Sequence, residues 1–378
     1  MKKLMLSAAA LMIGAIGFAQ NSDALINQVG AQNDATVDQI GLANDANVDQ
    51  FGKNFADVYQ NGTSNVADVD QGTASAHRTN VALTGYYGAG SWVSQIGQGN
   101  NAKVAVTESN IGSRINQGGI DNDAKQFLDA YTSYRGRSIN NYDGRMSIEI
   151  IQSGNRNEAL QKTTTSFGTH GIQKMWIDQT GDDNYGSQHS KGGAGSVMTI
   201  KQVGYFNGNA VGADVSSTGL DSPLDLFNGS NGDYTQYQWG NRSTATIDIT
   251  GDNNKTTQAQ EYTVWALSGE NTATINIIGN LNTVIQGQLG EYNESYVDIS
   301  GHENVVTTGQ EGDYNDADVN VDGDSNVAAV MQTGNNHEAI IWQSGNNNFG
   351  TITSNGNDHF GEIYQTGDMN NGVITQQN

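Results

Sequence analysis

Residues 28–50 read Gln28-Val29-Gly30-Ala31-Gln32-Asn33-Asp34-Ala35-Thr36-Val37-Asp38-Gln39-Ile40-Gly41-Leu42-Ala43-Asn44-Asp45-Ala46-Asn47-Val48-Asp49-Gln50. Gln28, Gly30, Asn33 and Ala35 return as Gln39, Gly41, Asn44 and Ala46, an offset of 11 residues. In a strand, alternate side chains share a face. Asn33, Ala35, Val37 and Gln39 then point one way, and Asp34, Thr36 and Asp38 the other. The first set, with its small and β-branched members, is the expected interior. The second, variable and acidic, is the expected solvent face. Gly30 and Gly41 fall between the strands, where a positive φ serves a tight turn.

The unit runs through the chain. Gln-x-Gly-x-x-Asn also begins at Gln60, Gln95, Gln117, Gln152, Gln179, Gln202, Gln288, Gln310, Gln343 and Gln365. From 277 to 376 the spacing never slips, and between 277 and 332 the first position alternates between Ile or Val (Ile277, Ile299, Val321) and Gln (Gln288, Gln310, Gln332). That alternation predicts a structural period of two units, 22 residues, with one unit forming half a coil. A helical reading fails, because an 11-residue helical repeat does not place Gly at every third turn. The expected fold is all-β: a solenoid of strand-turn-strand coils whose backbone groups pair with the coils above and below. Insertions are expected near 72–92, 129–145, 163–174, 187–197 and 208–233, as loops leaving one edge.

Inward amides need partners, and stacking in register supplies them as columns of identical side chains. The expected ladder comprises Gln28, Gln39, Gln50, Gln60, Gln288, Gln310, Gln332, Gln343, Gln365 and Gln376, with Asn33, Asn44, Asn65, Asn293, Asn315, Asn348 and Asn370. His337 and His359 occupy the Asn position and are expected to substitute for it. The expected turn glycines are Gly30, Gly41, Gly62, Gly290, Gly312, Gly345 and Gly367.

Composition narrows the function. With 48 Gly, one Pro, no Cys and 35% hydrophobic residues, the 378-residue chain is not an ordinary set of globular domains. A net charge of −23 argues against nucleic acid and anionic membrane surfaces as partners. The absence of Cys excludes disulfides and thiolate metal sites. Lys2 and Lys3 followed by the apolar residues 4–18 read as a signal peptide ending near residue 19, which predicts a secreted chain beginning near Gln20. No later segment is apolar enough to be a membrane helix. The acids recur at solvent positions, which reads as a solvated face, so neither a catalytic residue nor a cofactor is expected. Gly-Asp-x-Asn runs such as Gly181-Asp182-Asp183-Asn184 offer oxygen ligands of the kind calcium takes, but turn formation alone accounts for them.

The unit resembles the curlin repeat, Ser-x5-Gln-x-Gly-x2-Asn-x-Ala-x3-Gln. Gln28, Gly30, Asn33, Ala35 and Gln39 match its second half, as do the runs from Gln39 to Gln50 and from Gln60 to Gln71. The resemblance implies a subunit exported by a Gram-negative bacterium that polymerises into extracellular amyloid fibres supporting adhesion and biofilm. It further implies a secretion channel, a nucleator and accessory fibre proteins as partners. The residues themselves add an argument. The first repeat follows the leader at once and the last runs to Gln376-Gln377-Asn378, so neither end shows a cap. Solenoids that stay soluble need caps, and open strand edges template addition. End-to-end self-association is therefore expected; the alternative is a monomeric β-solenoid adhesin.

Overall fold

The structure is a computed structural model and describes residues 22–30, 33–52, 54–72, 90–106, 111–129, 146–164, 174–191, 195–209, 235–239, 242–261 and 270–378. The predicted signal peptide lies outside them. The described residues form 28 strands and no helix. They run from β1 (Asp23–Gly30), β2 (Asp34–Leu42) and β3 (Asp45–Gly52) to β26 (Phe349–Asn357), β27 (Phe360–Thr366) and β28 (Asn371–Gln377). Successive strands pass between two all-parallel sheets. The first, of 15 strands, runs from β1 to β28; the second, of 13, runs from β2 to β27. This is the two-sheet β-solenoid that the repeat predicts.

Register follows the repeat. Thr283 to Leu289 pair in order with Val305 to Glu311, and Gln288 meets Gln310, a separation of 22 residues. Where an insertion intervenes the register survives: Gln60 meets Gln95, 35 residues away. A one-residue slip would turn the whole inward set to solvent.

Ala46, Val48, Ala56, Val58, Ile247 and Ile249 are completely buried between the sheets. Burying a Val or Ile contributes about 1.5–3 kcal/mol. Ordering costs about 1–2 kcal/mol per residue for the backbone alone. One coil with so few apolar groups cannot offset that cost, so stability comes from stacking.

The turn leading from the second sheet to the first is the same throughout. In Gly301-His302-Glu303-Asn304, Gly301 has φ +142 and Glu303 has φ 58. A Cβ added to Gly301 would lie 1.9 Å from the carbonyl oxygen of Gly323 in the next coil. Glycine is needed for this approach as well as for its φ. The left-handed residue is the one before Asn, and these residues (Leu281, Tyr292, Tyr314 and Met369 among them) include no Val, Ile or Thr, which fits the steric penalty of β-branching there.

The expected insertions correspond largely to 73–89, 130–145, 165–173, 192–194 and 210–234, which lie outside the described residues, as do 107–110 and 262–269. Their expected margins need correction. Residues 187–191 belong to β13 (Tyr185–Lys191) and 90–92 to β6 (Gly90–Gln98), because both strands stay in register with their neighbours. Beyond residue 22, each such interval but one joins a first-sheet strand to the next second-sheet strand. The exception, 210–234, opens inside a first-sheet rung. β15 (Gly208–Asn209) and β16 (Gln236–Gln238) both pair with β18 (Lys255–Glu261). The opposite edge is never interrupted.

The expectation of an exposed outer face holds for the second sheet and the first coils, and fails for the middle of the first sheet. From β13 to β24 (Val327–Asn335) both faces of the first-sheet strands are buried over their middle residues, as in β18, β20 (Thr283–Leu289) and β22 (Val305–Glu311), whereas β28 is exposed again. These strands read as near-continuous runs of apolar, small and Thr or Gln residues, the pattern of a strand covered on both sides.

Candidate functional site

The candidate site is the set of amide columns, with the two ends at which they stop. In the first sheet Gln28 donates from Nε2 to Gln50 Oε1 at 2.8 Å, and Gln50 donates likewise to Gln71 at 2.8 Å. Gln288 donates to Gln310 at 2.9 Å, and Gln310 to Gln332 at 3.0 Å. The second sheet has its own column. Gln39 donates to Gln60 at 2.9 Å, Gln60 to Gln95 at 2.8 Å, and Gln343 to Gln365 at 2.8 Å. Most inward Gln also donate to a backbone carbonyl of the facing strand: Gln50 to Asp34 at 3.1 Å, Gln332 to Asp316 at 2.7 Å, Gln376 to Phe360 at 2.7 Å. The amide therefore joins coil to coil and sheet to sheet. A net bond contributes about 0.5–1.5 kcal/mol, and a buried orphan costs about 1–3 kcal/mol.

The expected Gln residues thus divide between two columns, and neither runs unbroken. In the first, Val106, Leu128, Thr163 and Ser190 follow Gln71 before Gln238, and Ser354 stands between Gln332 and Gln376. In the second, Ile249, Ile277, Ile299 and Val321 separate Gln202 from Gln343. Gln179 and Gln343 of that column lie against Gly186 and Gly350 of the first sheet, a row that carries Thr256, Val284, Val306 and Ala328 in the coils where Ile or Val interrupts the column.

A further column was missed. Two residues before the main first-sheet position, Gln126 donates to Gln161 at 2.9 Å, Gln161 to Gln188 at 3.0 Å, Gln188 to Gln236 at 2.9 Å, Gln236 to Gln258 at 3.0 Å and Gln258 to Gln286 at 2.6 Å. Its signal is Gln-x-Gln, visible as Gln236-Tyr237-Gln238, Gln258-Ala259-Gln260 and Gln286-Gly287-Gln288.

The Asn residues act at the edges. Asn44 Oδ1 accepts the backbone N–H of Asn65 at 3.1 Å, and Asn33 Oδ1 accepts that of Asn54 at 3.0 Å. Further along the same two edges, Asn293 accepts from Asn315 at 3.0 Å and Asn348 from Asn370 at 2.9 Å. The Asn side chain also binds the turn of the next coil, as Asn293 Nδ2 donates to the Gly312 carbonyl at 2.7 Å. Asn is therefore a buried connector, and the residue before it takes the strained backbone. His337 and His359 continue the Asn293–Asn315 column. His337 N–H donates to Asn315 at 3.1 Å, and His359 N–H donates to His337 Nδ1 at 3.2 Å.

The residue after each turn Gly has its own task. Asp324 Oδ1 accepts the His302 N–H at 2.8 Å, Asp368 accepts that of Asn346 at 2.8 Å, and Asp313 accepts that of Glu291 at 2.9 Å. The turn Asp and Asn residues thus satisfy backbone donors of the coil before.

Outward acids stack less comfortably. Glu294, Asp316 and Glu338 share one row of the second sheet. Burial, then Glu294 and Glu338, push the Asp316 carboxyl up to about 6. Burial and Asp298 raise Asp318 as well. Like charges in register oppose folding. On the first sheet, burial holds the His189 imidazole down to about 4, with Lys162 and Lys191 adding to the effect.

At the ends the columns stop. β1 and β28 are the outermost strands of the first sheet, β2 and β27 those of the second. Among the described residues no strand lies beyond them, and the end strands are exposed: β1 along its whole length and β28 on alternate residues. A parallel two-sheet stack with amide columns inside defines a laddered β-solenoid built of 22-residue coils. The family model of the curlin associated repeat matches residues 19–52, 312–345 and 323–356. Segments near both ends of the stack are thus similar to the curlin associated repeat. No curated protein matches it.

Proposed function

We propose that this chain is a structural subunit of an extracellular curli-type amyloid fibre, secreted across the cell envelope, and that it supports adhesion and biofilm. The observation that carries the reading is the pair of open ends. Placing β28 against β1 of a second copy brings Ile374 beside Ile26 and Gln376 beside Gln28. The same step brings β27 against β2, with Ile363 beside Val37, Gln365 beside Gln39 and Gly367 beside Gly41. Within the chain each Gln column donates toward the higher-numbered coil. The end bearing Gln365 and Gln376 therefore offers donors, and the end bearing Gln28 and Gln39 offers acceptors. Head-to-tail addition matches them; two like ends would face donor to donor. The outward acids act as gatekeepers against premature association.

The chain has no Cys, which permits a clean test. Thr375→Cys and Asn27→Cys proteins are prepared separately and mixed under oxidising conditions. Neighbouring rungs lie about 4.8 Å apart, within the Cα range of about 4.4–6.8 Å that a disulfide accepts. Fibres with cross-linked pairs support both the reading and the joint. Fibres without cross-links overturn this joint and leave the fibre reading standing. Persistent strand-rich monomers, judged by electron microscopy and circular dichroism, overturn the fibre reading in favour of a monomeric adhesin.

A further inference from the structure

Tyr292 and Tyr314 take the same place in successive turns, Gly290-Glu291-Tyr292-Asn293 and Gly312-Asp313-Tyr314-Asn315. Each is the left-handed residue of its turn, with φ 58 and 59. Side chains other than Gly adopt that region rarely, so the backbone has to be held there. Bonds between the two coils hold it. The Tyr314 N–H donates to the Glu291 carbonyl at 3.0 Å, the Asn315 N–H to Asn293 Oδ1 at 3.0 Å, and the Glu291 N–H to Asp313 Oδ1 at 2.9 Å. Two side chains that leave matching backbones one rung apart run side by side. Their ring centroids lie 4.8 Å apart and their planes 8° from parallel. The pair is nonetheless accessible, Tyr292 being 37% exposed and Tyr314 59%. Along this edge the other left-handed positions are polar, with Arg242 and Glu270 before the pair and Asn336 and Asp358 after it. Among the described residues no other two tyrosine rings stack; Tyr364 meets Trp342 instead.

We propose that Tyr292 and Tyr314 form an oxidative cross-linking site, where a one-electron oxidant driven by hydrogen peroxide joins two coils as a dityrosine. Each phenol gives up one electron and one proton. The two phenoxyl radicals couple at ring carbons next to their oxygens, and one carbon–carbon bond forms. Each joined carbon then loses its hydrogen as a proton while its ring oxygen regains one, so both phenols return. The chain loses two hydrogens, and one hydrogen peroxide takes up the two electrons and two protons to give two waters. Glu270, then burial, Tyr314 and Glu291, raise the Tyr292 hydroxyl against the opposing Arg242, so this phenol is neutral at neutral pH. Proximity selects the pair: rings held in contact react as if at very high concentration. The bond ties together residues 22 apart in sequence and restrains the unfolded chain as a disulfide would, in a protein that has no Cys. The inference does not depend on polymerisation.

A haem peroxidase and hydrogen peroxide, added to the dilute folded chain, test it. Glu294 and Glu311 lie between the two tyrosines, so cleavage at acidic residues separates them. The expected product is a monomeric chain with dityrosine fluorescence, in which the peptides holding Tyr292 and Tyr314 stay joined and two hydrogens are missing. Tyr314→Phe and Tyr292→Phe each keep the stacked ring, which circular dichroism checks, and each loses the fluorescence. Denaturant added before the oxidant loses it as well. A folded chain without this link, a link formed equally in denaturant, or undiminished fluorescence in either variant would overturn the proposal.

Discussion

His337 and His359 lie one above the other with ring centroids 5.1 Å apart and planes 4° from parallel, in the column that Asn293 and Asn315 begin. The His337 imidazole does both jobs of the amide it replaces. His337 Nε2 contacts the Thr333 carbonyl at 3.1 Å within its turn, while its Nδ1 receives the His359 N–H. His337→Asn keeps an acceptor and a donor, so its stability should lie within about 1 kcal/mol of the parent, whereas His337→Leu orphans buried backbone groups and should lose about 1–3 kcal/mol. Denaturant titration of the two variants decides; equal losses would show that ring stacking, not hydrogen bonding, holds the column.

Glycine at the turn should matter in two ways. A Cβ on Gly301 meets the Gly323 oxygen, but one on Gly367 has only the Asn370 side chain within reach, at 4.0 Å. Gly301→Ala should destabilise the isolated chain by more than about 2 kcal/mol, through steric overlap on a strained backbone. Gly367→Ala should cost the isolated chain only the backbone strain of about 1–2 kcal/mol. It should nonetheless stop growth at that end, because the joint puts Gly41 of the next copy where Gly323 stands over Gly301. Seeded growth measured at each fibre end checks this; normal growth from Gly367→Ala would refute the joint.

Acidity should act through Asp316. Its folded-state pKa is raised from 3.8 to about 6, so the folded form holds a proton that the unfolded form has lost. Its contribution to stability improves as pH falls from about 6 toward 3.8 and is lost again as pH rises. Asp316→Asn should therefore raise the thermal midpoint at pH 7.5, with the gain disappearing near pH 4. Repulsion from Glu294 and Glu338 supplies part of the shift, so added salt should shrink the difference.

His189 should act with the opposite sign. Its folded-state pKa of about 4 lies below the ordinary 6.5, so stability is lost as pH falls through that window. His189→Gln should flatten that loss in a pH series of thermal melts. An unchanged slope would assign the loss to other groups.

A break within a column should cost more than one at a gap. Gln179 receives from Gln152 and donates to Gln202, each at 2.9 Å. Gln179→Leu leaves both neighbours short of a partner and should cost about 2–4 kcal/mol. Ile299→Leu, among Ile277 and Val321, should cost less than about 1.5 kcal/mol.

The strand faces, the 22-residue coil and the amide columns were legible because one regular unit dictates them. Asn44, Ala46, Val48 and Gln50 face inward as their alternation requires. What was illegible depends on neighbours far away in sequence. Whether Gln or Ile occupies an inward position goes with the facing strand, as Gln343 against Gly350 and Ile277 in the coil of Val284 show, and a single unit does not display its opposite. The second buried face was visible in principle, since Val327-Ala328-Ala329-Val330-Met331 shows no alternation. A reading built on Asp34 and Asp38 took the first coils to stand for all. The left-handed position before Asn was illegible too, because residues as different as Leu281, Tyr292 and Glu303 occupy it.

The uninterrupted turn edge has a consequence for how such a molecule can be altered. Length added on the other edge, as between β5 (Val66–Gln71) and β6, leaves the glycine approach and the Asn column untouched. The stack is thus a rail that accepts passengers on one flank only. A peptide or small domain grafted at such a junction should ride on the same side of every subunit, giving a filament with a decorated border and a bare one.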